Sequence, residues 1–87
     1  MTKSKLNRKM LTLEQAAREL DLEDGYAFIN YLIESKANGN ISQCKELFLE
    51  LSPYWQLQTV EKLLNDEYFN AREDAMFYLK VMKDEKE

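Results

Sequence analysis

Apolar residues recur at helical spacing along nearly the whole chain, and its few backbone breakers fall between the periodic stretches. Leu13, Ala16, Ala17 and Leu20 share one side of a first helix beginning at Thr12, where Thr12-x-x-Gln15 has the form of a capping box. Asp21, Glu23 and Asp24 then lead to a turn at Gly25, and the Asp24 carboxylate suits the positive end of the next helix. That second helix is expected over Tyr26–Ala37, with Tyr26, Ile29, Leu32 and Ile33 facing inward. Asn38-Gly39 closes it, because glycine accepts the left-handed conformation of a helix C-terminus. Asn40, three before Gln43, opens a third helix striped by Ile41, Cys44, Leu47, Phe48 and Leu51. So short a connection makes helices two and three an antiparallel hairpin.

Ser52-Pro53 starts a fourth helix, since proline is disfavoured inside a helix but welcome at its first position. From there Leu57, Val60, Leu64, Tyr68, Ala71, Ala75, Leu79 and Met82 stay on one face without a phase shift. This admits a single longer C-terminal helix, an unusual length for a small domain, and a break at Asn65-Asp66 or Asn70 is the expectation. The prediction is an all-α fold, a compact bundle of four to five short helices. Two glycines and one proline in 87 residues argue against a β-rich fold, which needs frequent turns. Residues 1–10 read as a flexible basic arm, 11–84 as one helical domain and 85–87 as a frayed charged tail.

Composition narrows the chemistry. One cysteine and no histidine exclude an internal disulfide, a zinc finger, and any Ser–His or Cys–His nucleophile. Cys44 falls on the stripe of the third helix and reads as a buried small hydrophobe. Asp21–Gly25 superficially suggests a calcium loop, but that pattern needs glycine where Tyr26 stands and glutamate where Leu32 stands. No glycine-rich phosphate loop is present. No metal, cofactor or catalytic residue is expected, and the chain reads as non-enzymatic. Lys3, Lys5, Arg8 and Lys9 mimic the start of a signal peptide, yet Glu14, Arg18 and Glu19 interrupt the apolar stretch that such a peptide requires. No charge-free run approaches the roughly 20 residues of a membrane span. A cytoplasmic protein with no membrane contact is the expectation.

The formal charge of −4 conceals a separation. Residues 1–10 hold four bases and no acid, while residues 11–87 hold eight bases and sixteen acids. Lys3, Lys5, Arg8 and Lys9 are therefore candidate nucleic-acid contacts, as in arms that reach a groove. The acidic body would repel DNA and be drawn to basic surfaces. Leu11–Leu22 (LTLEQAARELDL) resembles the opening helix of helix-turn-helix and excisionase-type proteins. In that resemblance the turn glycine falls on Asp21 and a buried position of the second helix falls on Asn30. The second helix would then be the recognition helix, and its only base is Lys36.

Several apolar residues fall off the stripes. Phe77 and Val81 lie nearly opposite the Ala71/Ala75/Leu79 face, Tyr31 lies off the Ile29/Ile33 direction, and Leu49 departs from the third stripe. Trp55 sits far from the Leu57/Val60/Leu64 face. These five are the candidate partner-binding residues, because aromatic and aliphatic groups on a second helix face are buried either centrally or by another chain. The expected function is a small acidic protein-binding module: a regulator, inhibitor or adaptor. Action on a nucleic-acid-handling protein, in the manner of small phage or mobile-element proteins, suits its size and charge. The alternatives are a DNA-binding accessory protein, with a degenerate helix-turn-helix and a basic arm, and a structural homo-oligomer or homodimer.

Overall fold

Helix boundaries fall where end groups of the backbone find local partners. The computed structural model describes residues 9–86, and among them five helices and no strand. They are α1 (Leu13–Glu19), α2 (Gly25–Ala37), α3 (Ile41–Leu49), α4 (Pro53–Leu64) and α5 (Ala71–Lys86). Thr12 closes the capping box: its hydroxyl accepts from the Gln15 amide at 3.1 Å, while the Gln15 side chain accepts from the Thr12 amide at 3.0 Å. Asp24 caps α2 by accepting from the Ala27 amide at 2.9 Å. Asn40 and Ser52 occupy the cap positions of α3 and α4 without making the expected side-chain bond. At α4 the loss is limited because Pro53 brings no N–H to satisfy.

Both α1 and α2 end on a left-handed residue, Asp21 (φ 60°) and Gly39 (φ 85°). The next amides fold back onto the last turn, Leu22 onto the Ala17 carbonyl at 2.9 Å and Asn40 onto the Ser35 carbonyl at 2.8 Å. The chain then turns sharply enough for α1 to pack on α2 and α2 on α3. The expected break separates α4 from α5, which pack closely on one another, and α5 also rests on α3. An isolated parallel bridge ties the entrance of the domain to the α3–α4 junction: the Leu11 amide donates to Glu50 at 2.8 Å and the Ser52 amide to Leu11 at 2.9 Å.

Phe28, Leu32, Phe48, Leu51, Leu63 and Tyr78 are fully buried where these helices meet. Tyr78 is the central piece. Its ring lies 4.7 Å from that of Phe48, and its hydroxyl donates to the Leu32 carbonyl at 3.2 Å, so one α5 side chain binds α3 and α2 together. A buried phenol needs that acceptor, since an unsatisfied hydroxyl would cost stability.

Three inward faces differ from the expected ones. On α4 the buried residues are Gln56, Thr59, Val60 and Leu63, while Leu57 and Leu64 are exposed. Gln56 and Thr59 are tolerated inside because each donates to a carbonyl at 2.9 Å, Leu51 and Trp55 respectively. On α5 the inward face runs through Ala71, Asp74, Ala75, Tyr78 and Val81. Asp74 reads as polar in the sequence and hides this face; its burial turns α5 so that Tyr78 and Val81 point inward and Leu79 becomes only half-buried. Tyr26, at the start of α2, is exposed rather than inward.

The buried Asp74 carboxylate is fully partnered. It accepts from the Tyr68 hydroxyl at 2.7 Å and lies 3.0 Å from the Lys36 ammonium, which also sits 5.2 Å from the centre of the Phe77 ring. Burial, then the bond to Asp74, raises the Tyr68 phenol well above its ordinary pKa. This network joins α2, the α4–α5 connection and α5.

Candidate functional site

A groove of about 380 Å³ opens where α1, α2 and α4 face one another. Gly25 makes it possible. A Cβ there would stand 2.9 Å from the Leu13 Cβ and 3.2 Å from a Glu14 carboxylate oxygen, so only glycine lets α1 approach α2 this closely. The Gly25 amide in turn donates to that Glu14 oxygen at 3.0 Å. Glu14 and Asp24 together satisfy two of the donors at the start of α2, so this positive helix end is already occupied by carboxylates.

From this base the walls rise as aromatic and polar side chains. Ile29 and Leu13 supply apolar surface, Tyr26 stands on one side, and Trp55, Gln58 and Lys62 line the α4 side at i, i+3 and i+7. Lys62 spans the groove, with its ammonium 5.3 Å from the centre of the Tyr26 ring and 3.4 Å from Asp66. Tyr54 packs edge-on against Trp55 with ring centres 5.1 Å apart. Tyr26 and Tyr54 are 67% and 61% exposed, so much of this aromatic surface faces solvent. The arrangement can clasp a bulky apolar group, and its lining residues include no serine, threonine or cysteine.

Of the five residues expected to bind a partner, Trp55 lines the groove. Leu49 and Phe77 are half-buried against the core, with Phe77 placed between Lys36 and the Tyr78 ring. Tyr31 is also half-buried, and its hydroxyl accepts from the Gln43 side chain at 3.4 Å. Val81 corrects the expectation: it is 6% exposed and part of the core, because the burial of Asp74 rotates α5 toward it. Sequence reasoning missed Tyr26, Tyr54 and Lys62. Tyr26 matches an inward helical spacing, and nothing local shows that α4 faces it.

Lys3, Lys5 and Arg8 lie outside the described residues. Lys9 is paired with Glu19 at 2.8 Å and lies 3.8 Å from Glu50. The bond to Glu19, then the charge of Glu50, holds the Lys9 ammonium above its ordinary pKa. Glu50 is itself raised by burial, against the pull of Lys9.

Asp21, at the turn-glycine position of the helix-turn-helix resemblance, does adopt the left-handed conformation. Asn30 does not match its assigned position, being exposed. The outward face of α2 reads Tyr26, Asn30, Glu34 and Ala37, and Lys36 is turned toward Asp74 instead. Cys44 is buried, with its thiol donating to the Ile41 carbonyl at 3.2 Å. Among the described residues no group of three or more Cys, Asp or Glu side chains could hold a metal ion, and no helix is long and apolar enough to cross a membrane. No family model, curated protein or solved structure matches the chain.

Proposed function

We propose that this chain is a non-enzymatic protein-binding module that captures a segment of another protein in the groove between α1, α2 and α4. The observation that carries this reading is the placing of Tyr26 and Trp55 on one concave surface shared with Leu13 and Ile29, with Tyr54 packed edge-on against Trp55 beside it. Aromatic groups over an apolar cleft are the usual composition of binding hot spots. The outward face of α2 carries an acid and no base, which favours a protein over a nucleic acid as the partner.

The test compares affinity capture by the wild-type chain with capture by Tyr26→Ser/Tyr54→Ser and by Met76→Ser. All three positions are exposed, so the helical fold survives each change, and Met76 does not line the groove. The same partner should be retained by wild type and Met76→Ser and lost by the double variant. Retention by all three would defeat the reading. Capture of the chain by itself, with matching dimers in sedimentation, would favour a homo-oligomer.

A further inference from the structure

We infer that the exposed face of α5 is a second docking surface, and that it takes an acidic amphipathic segment of a partner protein. This surface is separate from the groove, whose lining includes no residue of α5.

Helical spacing builds the face. Arg72, Met76, Lys80 and Lys83 follow one another at i, i+4, i+8 and i+11, and all four are exposed. At about 1.5 Å per residue the row runs roughly 16 Å along the helix. Half-buried Leu79 and Met82 border it on one side, and exposed Glu73 and Asp84 border it on the other. The inward side, through Ala71, Asp74, Ala75, Tyr78 and Val81, is fixed in the core, so α5 cannot turn to bury the row.

Charge selects the occupant. Residues 11–87 hold sixteen acids against eight bases, so a row of three bases stands against the balance of the chain. Lys9, Lys36 and Lys62 are each held by a carboxylate of their own. On α5 Lys80 meets Asp84 at 3.6 Å, in a pair 76% and 66% exposed that solvent screens. Arg72 and Lys83 make no ion pair among the described residues. The row therefore offers a partner's carboxylates two uncommitted cations and a third that exchanges its partner easily. A basic segment would meet like charge along the same line.

The apolar edge sets the other half of the ligand. Leu79 and Met82 pack against the core with part of their surface open, and Met76 is 54% exposed within the row. A segment with acids on one side and apolar groups beside them covers both at once. A nucleic acid or an anionic membrane fits less well, because its charge would extend past the row onto Glu73, Asp84 and the acidic body.

The test uses a displayed library of random peptides, each of about twelve residues. It is first depleted on Arg72→Glu/Lys83→Glu and then selected on the wild-type chain, so that surviving peptides need the row. Both positions are exposed, and the circular dichroism of the variant should match that of wild type. The expected peptides carry an excess of Asp and Glu with Leu, Phe or Met anchors. In fluorescence anisotropy their affinity should fall with added salt and drop at least roughly tenfold in Arg72→Gln/Lys83→Gln. It should stay unchanged in Tyr26→Ser/Tyr54→Ser. No enrichment, or enriched peptides that are neutral or basic, would overturn the inference and leave the groove standing. So would a thymidine oligonucleotide, or vesicles containing phosphatidylserine, bound more tightly than any peptide and lost by the charge-reversed variant.

Discussion

The Tyr68 hydroxyl donates to the buried Asp74 carboxylate at 2.7 Å, and this bond sets the start of α5 against the connection that precedes it. Lys36 reaches the other carboxylate oxygen from α2 at 3.0 Å, so the acid is held by a donor and a cation from separate elements. A charge buried this deeply is tolerable only with both partners. Asp74→Ala should therefore cost about 3 kcal/mol in urea unfolding, because Lys36 and Tyr68 lose their shared acceptor. Lys36→Met should cost at least as much, since it leaves the buried carboxylate without its cation, whereas Asp74→Ala leaves the more accessible Lys36 ammonium. A Lys36→Met loss well below that of Asp74→Ala would argue against a stabilising ion pair.

Alkali offers a second probe of the same region. Tyr68 and Tyr78 both have raised pKa values, first because burial disfavours the phenolate, and for Tyr68 also through its hydrogen bond to Asp74. A folded-state pKa above the unfolded value means that stability is complete below the unfolded pKa and is lost as pH rises beyond it. For tyrosine that loss begins near pH 10. Ionisation of these two phenols, followed by ultraviolet absorbance, should coincide with the loss of helical circular dichroism. In Tyr68→Phe the fall of stability with pH above about 10 should be shallower than in wild type.

Asp21 and Gly39 end successive helices in the same left-handed conformation with different side chains. Gly39 has nothing near its missing Cβ, so Gly39→Ala reads backbone strain alone and should cost about 1 kcal/mol. Asp21→Gly should stabilise by less than about 1 kcal/mol, because aspartate tolerates this region and glycine loses more entropy on folding. Thermal melts resolve both, since about 1 kcal/mol moves the midpoint of a domain this size by roughly 4–8 °C.

Gly25 links stability to the groove. Gly25→Ala should cost about 1–3 kcal/mol by forcing the new methyl against the Leu13 Cβ. Hydrogen exchange should quicken in α1, and captured partners should be lost in parallel. An unchanged exchange pattern would mean that α1 and α2 can part without consequence.

Local chemistry was legible where it acts within a few residues. The Thr12 capping box, the Asp24 cap, the Gly39 terminus, Pro53 and the break after Leu64 all follow from short-range sterics and backbone donors. The all-α class follows from the same periodicity. Cys44, Phe48 and Leu51 fall on their predicted stripe and are buried. Rotation of α4 and α5 was not legible, because the gap between them frees each helix to choose its own inward face. Asp74 then enters the core only because Lys36, from a helix far back in the chain, meets it there.

The sequence by itself therefore determined the helices, their ends and the separation of charge along the chain, all properties of neighbouring residues. Tertiary structure alone decided that Val81 is core, that Tyr26 faces Lys62 across a groove, and that Asp74 is buried. Those outcomes depend on contacts between α1, α2, α4 and α5. A helical wheel records the spacing of side chains around one axis, but not which neighbour will supply the partner that makes burial favourable.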